Sequence, residues 1–505
     1  MNQFFGQTFW RAMAVIAILY ALALLGYGSD VDVFILLGLV VGAAVVAFKR
    51  LDHALLLVFI ELFSNPHGML LSTDVGGFTV SLRMALFVGV MTGWLIGFVT
   101  GRYRPAFKDG RAQIFALLAL AAMLGMIVGV LKSDPRLVFA DGNAYLYLLY
   151  LLPILSIDWS ARLRGDLLQI LAAGAIWIST LSLALLYVFT HFGPNILLPT
   201  YTFFRDLRIA EITSMDGVYR VFIQSQVFTI IFGFVLMSFS IFTRDRRGLL
   251  PLGSLIVTTV ILALSRSFWF GLVLAVAFLL FLLFKQQRPT FKQMTRFTGS
   301  SASCFFLSVM IIVLIVLFPF PRQDLTGYDL ALALRERATN TNDVAIRSRW
   351  KLLTPMANSI LESPLTGQGF ASTVTFVTDD PRAREIHPDG TWTTSSMEWG
   401  WLELWIKMGI LGPMAFLYAA YEILKRLWAY RWTDQAWLGF GLMAGLVFIF
   451  ATHFFSPYLN HPIGLGFLLF LVPFLPTKKP AEAVAGILIA PPLIKQAVPV
   501  MTLES

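Results

Sequence analysis

Three arginines stand where charge is costly. Arg349 follows Asn342-Asp343, a pair able to cap a helix that runs to about Glu362, where Ser363-Pro364 would stop it. With Ile346 set at zero on a helical wheel, Ile346, Trp350, Leu353, Met356, Ala357, Ile360 and Leu361 fill one apolar arc. Arg347, Lys351, Thr354 and Asn358 fall on the polar side, and Arg349 falls inside the apolar arc. A guanidinium on a packing face needs an anionic partner or a wet cleft, unless it snorkels over its neighbours to water. Arg266 lies in Leu264-Ser265-Arg266-Ser267, a nearly loopless turn between two apolar runs. Arg220 opens another apolar run, with Gln224 and Gln226 carrying polarity inward at a cost in energy. Guanidinium groups stay charged and pair with phosphate oxygens in a planar, bidentate way, so three of them at one membrane boundary point to a diphosphate. No clustered carboxylates or His pairs suggest a cation site, so the arginines would do the work of a metal and no cofactor is implied.

A hydroxyl attacking such a substrate needs a base. Glu398 lies in Ser396-Met397-Glu398-Trp399-Gly400, where a polar stretch ends and an apolar run begins. A carboxylate partly shielded from water there could accept a proton. The competing reading is a helix-start carboxylate favoured by the dipole. Glu403 and Lys407 are spaced to pair with each other one turn deeper. Gln224, Arg347, His387, His453 and His461 are further candidates for lining the cleft, His387 from a polar loop and the other two histidines from either side of a short turn that includes Asn460. Trp392, Trp399, Trp401 and Trp405 suit sugar stacking and interfacial anchoring equally.

The elements that must position these groups are membrane spans. Of 505 residues, 57% are hydrophobic and 13% charged, about half the charged share of an average soluble domain. Spans are expected near 8–27, 31–48, 53–63, 81–100, 112–131, 143–157, 167–191, 221–243, 249–264, 267–284, 302–320, 400–424, 435–452 and 462–476. The fold class is therefore all-α, a polytopic bundle of about 12–14 transmembrane helices with one large helical loop. With the N-terminus inside, the connections at 49–50, 102–111, 162–164, 244–247, 285–296 and 425–431 are cytoplasmic, and each is basic. This alternation gives the net charge of +9 a topological meaning and argues against nucleic acid as a partner. The lone Cys304 excludes an intramolecular disulfide. Four regions follow: a bundle over 1–320, an extracytoplasmic loop domain over 321–399, further spans over 400–476 and a cytoplasmic tail over 477–505. The expected location is a bacterial inner membrane, multi-pass, with both termini cytoplasmic and the active face periplasmic or extracellular.

Together, Ser265-Arg266, Arg349-Trp350, Ser363-Pro364-Leu365-Thr366-Gly367-Gln368-Gly369-Phe370 and Gly409-Ile410-Leu411-Gly412 resemble the O-antigen ligase and polysaccharide polymerase superfamily over roughly 205–475. The resemblance implies transfer of a glycan from a polyprenyl-diphosphate carrier outside the membrane, without a metal. Ligases of that family carry a His followed by Asn, Ser or Gln where this chain has Glu398-Trp399, ahead of Gly409. The difference favours a polymerase of exopolysaccharide, capsule or O-antigen, with Glu398 as base and Arg220, Arg266 and Arg349 on the diphosphate. Transfer to a lipid or protein acceptor, as in a ligase, is the alternative within the family. A transporter or flippase for lipid-linked sugars is the alternative outside it, and would place its charges near the bilayer midplane between repeats. The partners implied are a polyprenyl-diphosphate-linked glycan, membrane lipid, and chain-length regulators or polysaccharide export proteins.

Overall fold

The computed structural model describes residues 3–29, 31–76, 78–215, 218–243, 249–287, 291–321, 334–335, 344–379 and 381–476. The tail at 477–505, the expected cap Asn342-Asp343 and most of 322–343 lie outside the described residues.

Helices dominate, in chain order α1 (Gln7–Gly26), α2 (Val31–Lys49), α3 (Leu51–Ser64), α4 (Leu82–Val99), α5 (Arg111–Lys132), α6 (Pro135–Gly142), α7 (Leu151–Leu155), α8 (Ala161–His191), α9 (Pro194–Asp206), α10 (Gln226–Thr243), α11 (Leu249–Ala263), α12 (Arg266–Gln287) and α13 (Phe291–Val316). The second half adds α14 (Val344–Glu362), α15 (Pro381–Ile386), α16 (Gly400–Met408), α17 (Leu411–Leu427), α18 (Ala436–Thr452) and α19 (Pro462–Leu471). The described strands form three antiparallel hairpins: β1 (Ser72–Val75) with β2 (Phe78–Ser81), β3 (Glu211–Met215) with β4 (Val218–Phe222), and β5 (Val374–Val377) with β6 (Thr391–Thr394).

Eight described helical segments are long and apolar enough to cross a membrane: α1, α2, α4, α5, the composite run Pro135–Leu155, α8, α12 and α13. Their outer faces expose large apolar side chains such as Phe34, Val41, Val99, Leu131 and Phe306, which water would penalise and lipid accepts. The chain is an all-α, multi-pass membrane bundle. Packing between α2 and α4 shows why small residues recur: a Cβ added at Gly93 would strike the Ala44 carbonyl and one at Gly89 would crowd that of Val40, so the backbones meet directly.

Four expected spans take a different form. The one at 53–63 is α3, whose 14 residues reach about 21 Å, short of a ~30 Å hydrocarbon layer. It is buried inside the bundle rather than crossing at its edge. The run at 143–157 is a 3-10 helix over Asn143–Tyr150 followed by α7, with Pro153 inside it. The run expected from 221 starts at Gln226, because the preceding residues form β4. The span at 400–424 breaks at Gly409 into α16 and α17.

Candidate functional site

The loop helix α14 ends at Glu362, where the Ser363-Pro364 stop placed it. Its buried stripe is Leu352, Met356 and Ile360, one step round from the expected arc, and it packs on Val374, Met397, Trp399 and Ile406. Trp350, Ala357 and Leu361 point outward instead, with Trp350 61% and Leu361 75% exposed. Arg349 stays in line with the buried stripe and finds an anion: its Nε donates to Glu398 Oε2 at 2.5 Å. Glu398 is about half exposed, so the partial shielding from water expected of it is slight, and the Arg349 guanidinium is its partner.

Arg220 reaches the same end of the bundle from β4. Its Nε donates to the Ala263 carbonyl at 3.0 Å, its Nη1 lies 3.5 Å from Glu211 Oε2, and its guanidinium sits 4.7 Å over the Phe222 ring. Burial pulls its pKa below the usual arginine value, Glu211 pushes back, and the like charge of Arg349 adds to the lowering. The two guanidinium groups are therefore near enough to feel each other. The carbonyl that Arg220 holds is three residues before Arg266, which is half-buried at the first turn of α12. Leu264 in that turn has φ +44°, a conformation that a bulky L-residue adopts only when its surroundings impose it.

Aromatic packing joins the two halves. Trp399 Nε1 donates to the Arg349 carbonyl at 2.9 Å, and the Trp399 ring lies 5.3 Å from Phe455. Phe455 in turn lies 5.2 Å from Phe270, one turn after Arg266. A hydroxyl relay supports the same turn: Ser456 Oγ donates to Ser267 Oγ at 3.1 Å, which lies 3.0 Å from Ser265 Oγ.

The remaining expected residues divide. Gln224 is half-buried just ahead of α10. Gln226 is a structural pin, its side chain bonded to the Ile223 nitrogen, the Val221 carbonyl and Ser182 Oγ. Arg347 and His387 are exposed on the loop domain. His453 is fully buried, and its Nδ1 accepts from the Leu459 nitrogen at 3.1 Å, which fixes the turn. His461 stands at the N-cap of α19.

Glu403 and Lys407 pair at 2.5 Å, as their spacing suggested. A third partner was hidden from the sequence: Lys407 Nζ also donates to Asp141 Oδ1 at 2.6 Å, and Asp141 Oδ2 accepts from the Ala371 nitrogen at 2.8 Å. A second buried pair, Arg83 with Glu61 at 3.1 Å, ties the turn after α3 to α4, with Asn65 bonded to both. Among the described residues no group of three or more His, Cys, Asp and Glu is placed to hold a metal ion.

The glycine motif is a clasp made of backbone. Gln368 N donates to Ile406 O at 2.6 Å, Ile410 N to Pro364 O at 3.1 Å and Phe370 N to Gly125 O at 3.1 Å. Gly409 has φ +64°, and a Cβ there would collide with the Leu365 carbonyl oxygen. Gly369 has φ +90°, and a Cβ there would collide with the backbone of Gly129. The Ile406 carbonyl leaves the helical ladder to receive the loop, which is why the expected single span breaks here.

Comparison with known proteins agrees with this reading. Residues 251–417 match a family model described as O-Antigen ligase. No curated protein and no solved structure matches. The matched stretch holds Arg266, Arg349, Glu398 and the glycine motif of the clasp, while Arg220 and the clasp's partner Gly125 lie before it. The resemblance to the O-antigen ligase and polysaccharide polymerase superfamily thus stands on the family match over 251–417 as well as on the residues that first suggested it.

Proposed function

We propose that this protein polymerises a cell-surface polysaccharide, moving a growing glycan from a polyprenyl diphosphate to a lipid-linked repeat unit at the outer face of a bacterial inner membrane. The observation that carries the reading is the Arg349–Glu398 contact, a cation and a base joined beside Arg220 and the Arg266 turn.

In this reading the contact is a resting state. The donor's diphosphate competes with Glu398 for Arg349, and phosphate offers the guanidinium a bidentate partner. Glu398, released, takes the proton of the acceptor hydroxyl. The hydroxyl oxygen attacks the anomeric carbon from the face opposite the carrier. The bond from that carbon to the diphosphate oxygen breaks, and the electron pair leaves with the polyprenyl diphosphate. Configuration at the anomeric carbon inverts. Arg220, Arg266 and Arg349 compensate the charge that gathers on the leaving group. Arg266 opens α12, where the helix dipole and the guanidinium both favour an anion.

The test is chain growth by purified protein in lipid nanodiscs, supplied with lipid-linked repeat units and EDTA. Lengthening products are expected, and Glu398→Gln should slow them by about 10²–10⁴-fold, the usual weight of a general base. Unchanged growth in that variant removes Glu398 from the mechanism. The family description favours a second reading, ligation. Transfer of preformed glycan to a lipid or protein acceptor, with no lengthening of repeat units, would establish it.

A further inference from the structure

The loop domain contains a cavity of about 360 Å³ that the diphosphate-gripping arginines do not line. We infer that it binds the terminal sugar of the acceptor glycan, a neutral or hydroxyl-rich ring, and presents one of its hydroxyls to Glu398. The inference rests on the reading of Glu398 as base.

One wall of the cavity is β6 and the bend that follows it. Trp392 and Thr394 share one face of β6, and Ser396 and Glu398 line the cavity from the bend. On the partner strand, Phe376 pairs across from Trp392 and shares that face with Thr378. The opposite wall comes from α14, where Ser348 and Leu352 stand one helical turn apart. Its size falls within the ~300–1,000 Å³ of small-ligand sites.

The chemistry of the lining selects a class. An indole face suits the apolar C–H face of a sugar, and hydroxyls suit its polar edge. Ser348 and Thr378 meet each other at 2.9 Å, and Thr394 donates to the Ser396 carbonyl at 2.9 Å. A hydroxyl has one donor and two acceptor sites, so Ser348 and Ser396 can offer the edge of a ring further hydrogen bonds. A phosphate is disfavoured, since Glu398 would repel it and neither Lys nor Arg is among the described lining residues. A purely apolar ligand would strand the hydroxyls. The donor sugar is excluded by its own chemistry: its diphosphate needs cations, whereas the hydroxyl that loses a proton must touch the carboxylate. One residue therefore faces two compartments, Arg349 on one side and this cavity on the other.

The test uses the full chain in nanodiscs and two readouts. Initial rates of chain growth are measured against acceptor concentration at saturating donor. Trp392→Ala should raise the acceptor KM at least tenfold, with the donor KM and kcat within about twofold, and Trp392→Phe should restore most of the loss. In parallel, oligosaccharide released by mild acid from the polymer of cells carrying this protein is titrated by saturation-transfer NMR. Wild type should show transfer to ring protons, and Trp392→Ala should lose it. Wild-type acceptor KM in Trp392→Ala, or equal rises for donor and acceptor, overturns the pocket while leaving polymerisation intact. Oligosaccharide binding that depends on Trp392 in a protein that never lengthens glycan overturns the polymerase reading and leaves the sugar site standing. A melting temperature for Trp392→Ala within a few degrees of wild type shows the domain has not unfolded, and Ser396→Val, which deletes a hydroxyl but no ring, gives a second, smaller rise in acceptor KM.

Discussion

At the scale of the residue, the decisive contact is that of Arg349 with Glu398, for which the proposed mechanism has an incoming phosphate compete. Arg349→Lys keeps the charge but loses the planar fork, and donor affinity should fall by about 10–100-fold, the worth of one charge-assisted hydrogen bond of ~1.5–3 kcal/mol. A donor titration checks it. Near-wild-type affinity would mean that Arg349 serves Glu398 alone. Arg349 and Arg266 were legible because charge in an apolar pattern is conspicuous. Glu398 was legible by position, yet its exposure was not, since the turn that lifts it out belongs to a hairpin formed with residues some twenty positions earlier. Asp141 was invisible for a stronger reason: 266 residues separate it from Lys407, and nothing local marks either as the other's partner. Lys407→Ala would leave Glu403 and Asp141 buried without their cation, and about 3–5 kcal/mol of stability should go with it. Thermal unfolding in detergent measures the loss, and a melting temperature equal to wild type would show the triad to be hydrated.

Helix and loop boundaries were read unevenly. The stop at Ser363-Pro364 placed the end of α14 because proline chemistry is local. The β5–β6 hairpin was missed because each strand is only four residues long and flanked by polar residues. The α14 stripe shifted because the wheel was centred on Ile346, whereas what buries a face is the surface it meets, here Met397, Trp399 and Ile406. The family-like glycines form the seam between elements. Gly409→Ala should cost at least about 1–3 kcal/mol, from a backbone conformation that L side chains avoid and from the added collision with Leu365. Limited proteolysis of the 363–370 segment should accelerate in that variant while cleavage elsewhere is unchanged, and equal rates would show that the seam tolerates a methyl group.

Over the molecule as a whole, long apolar helices were the most legible feature, because a bilayer imposes length and composition together. Short or broken helices were not, since a segment buried among other helices need not reach across. Charge placement predicts that the loop domain faces away from the cytoplasm. In a Cys304→Ser background, His387→Cys should react with a membrane-impermeant maleimide added to spheroplasts, whereas a cysteine at Arg104 should react only after lysis. The reverse pattern would invert the topology and dismiss an extracytoplasmic reaction.

The clasp of Pro364, Gln368 and Phe370 onto α5, α16 and Ile410 has a bearing on how turnover is paced. Stitched peptide to peptide at three points, this flank of the loop domain has no swinging arm. On the proposed reaction, the lipid-borne reactants would do the travelling, in the plane of the bilayer. Rates of elongation should accordingly track acyl-chain fluidity of the host membrane more closely than solvent viscosity.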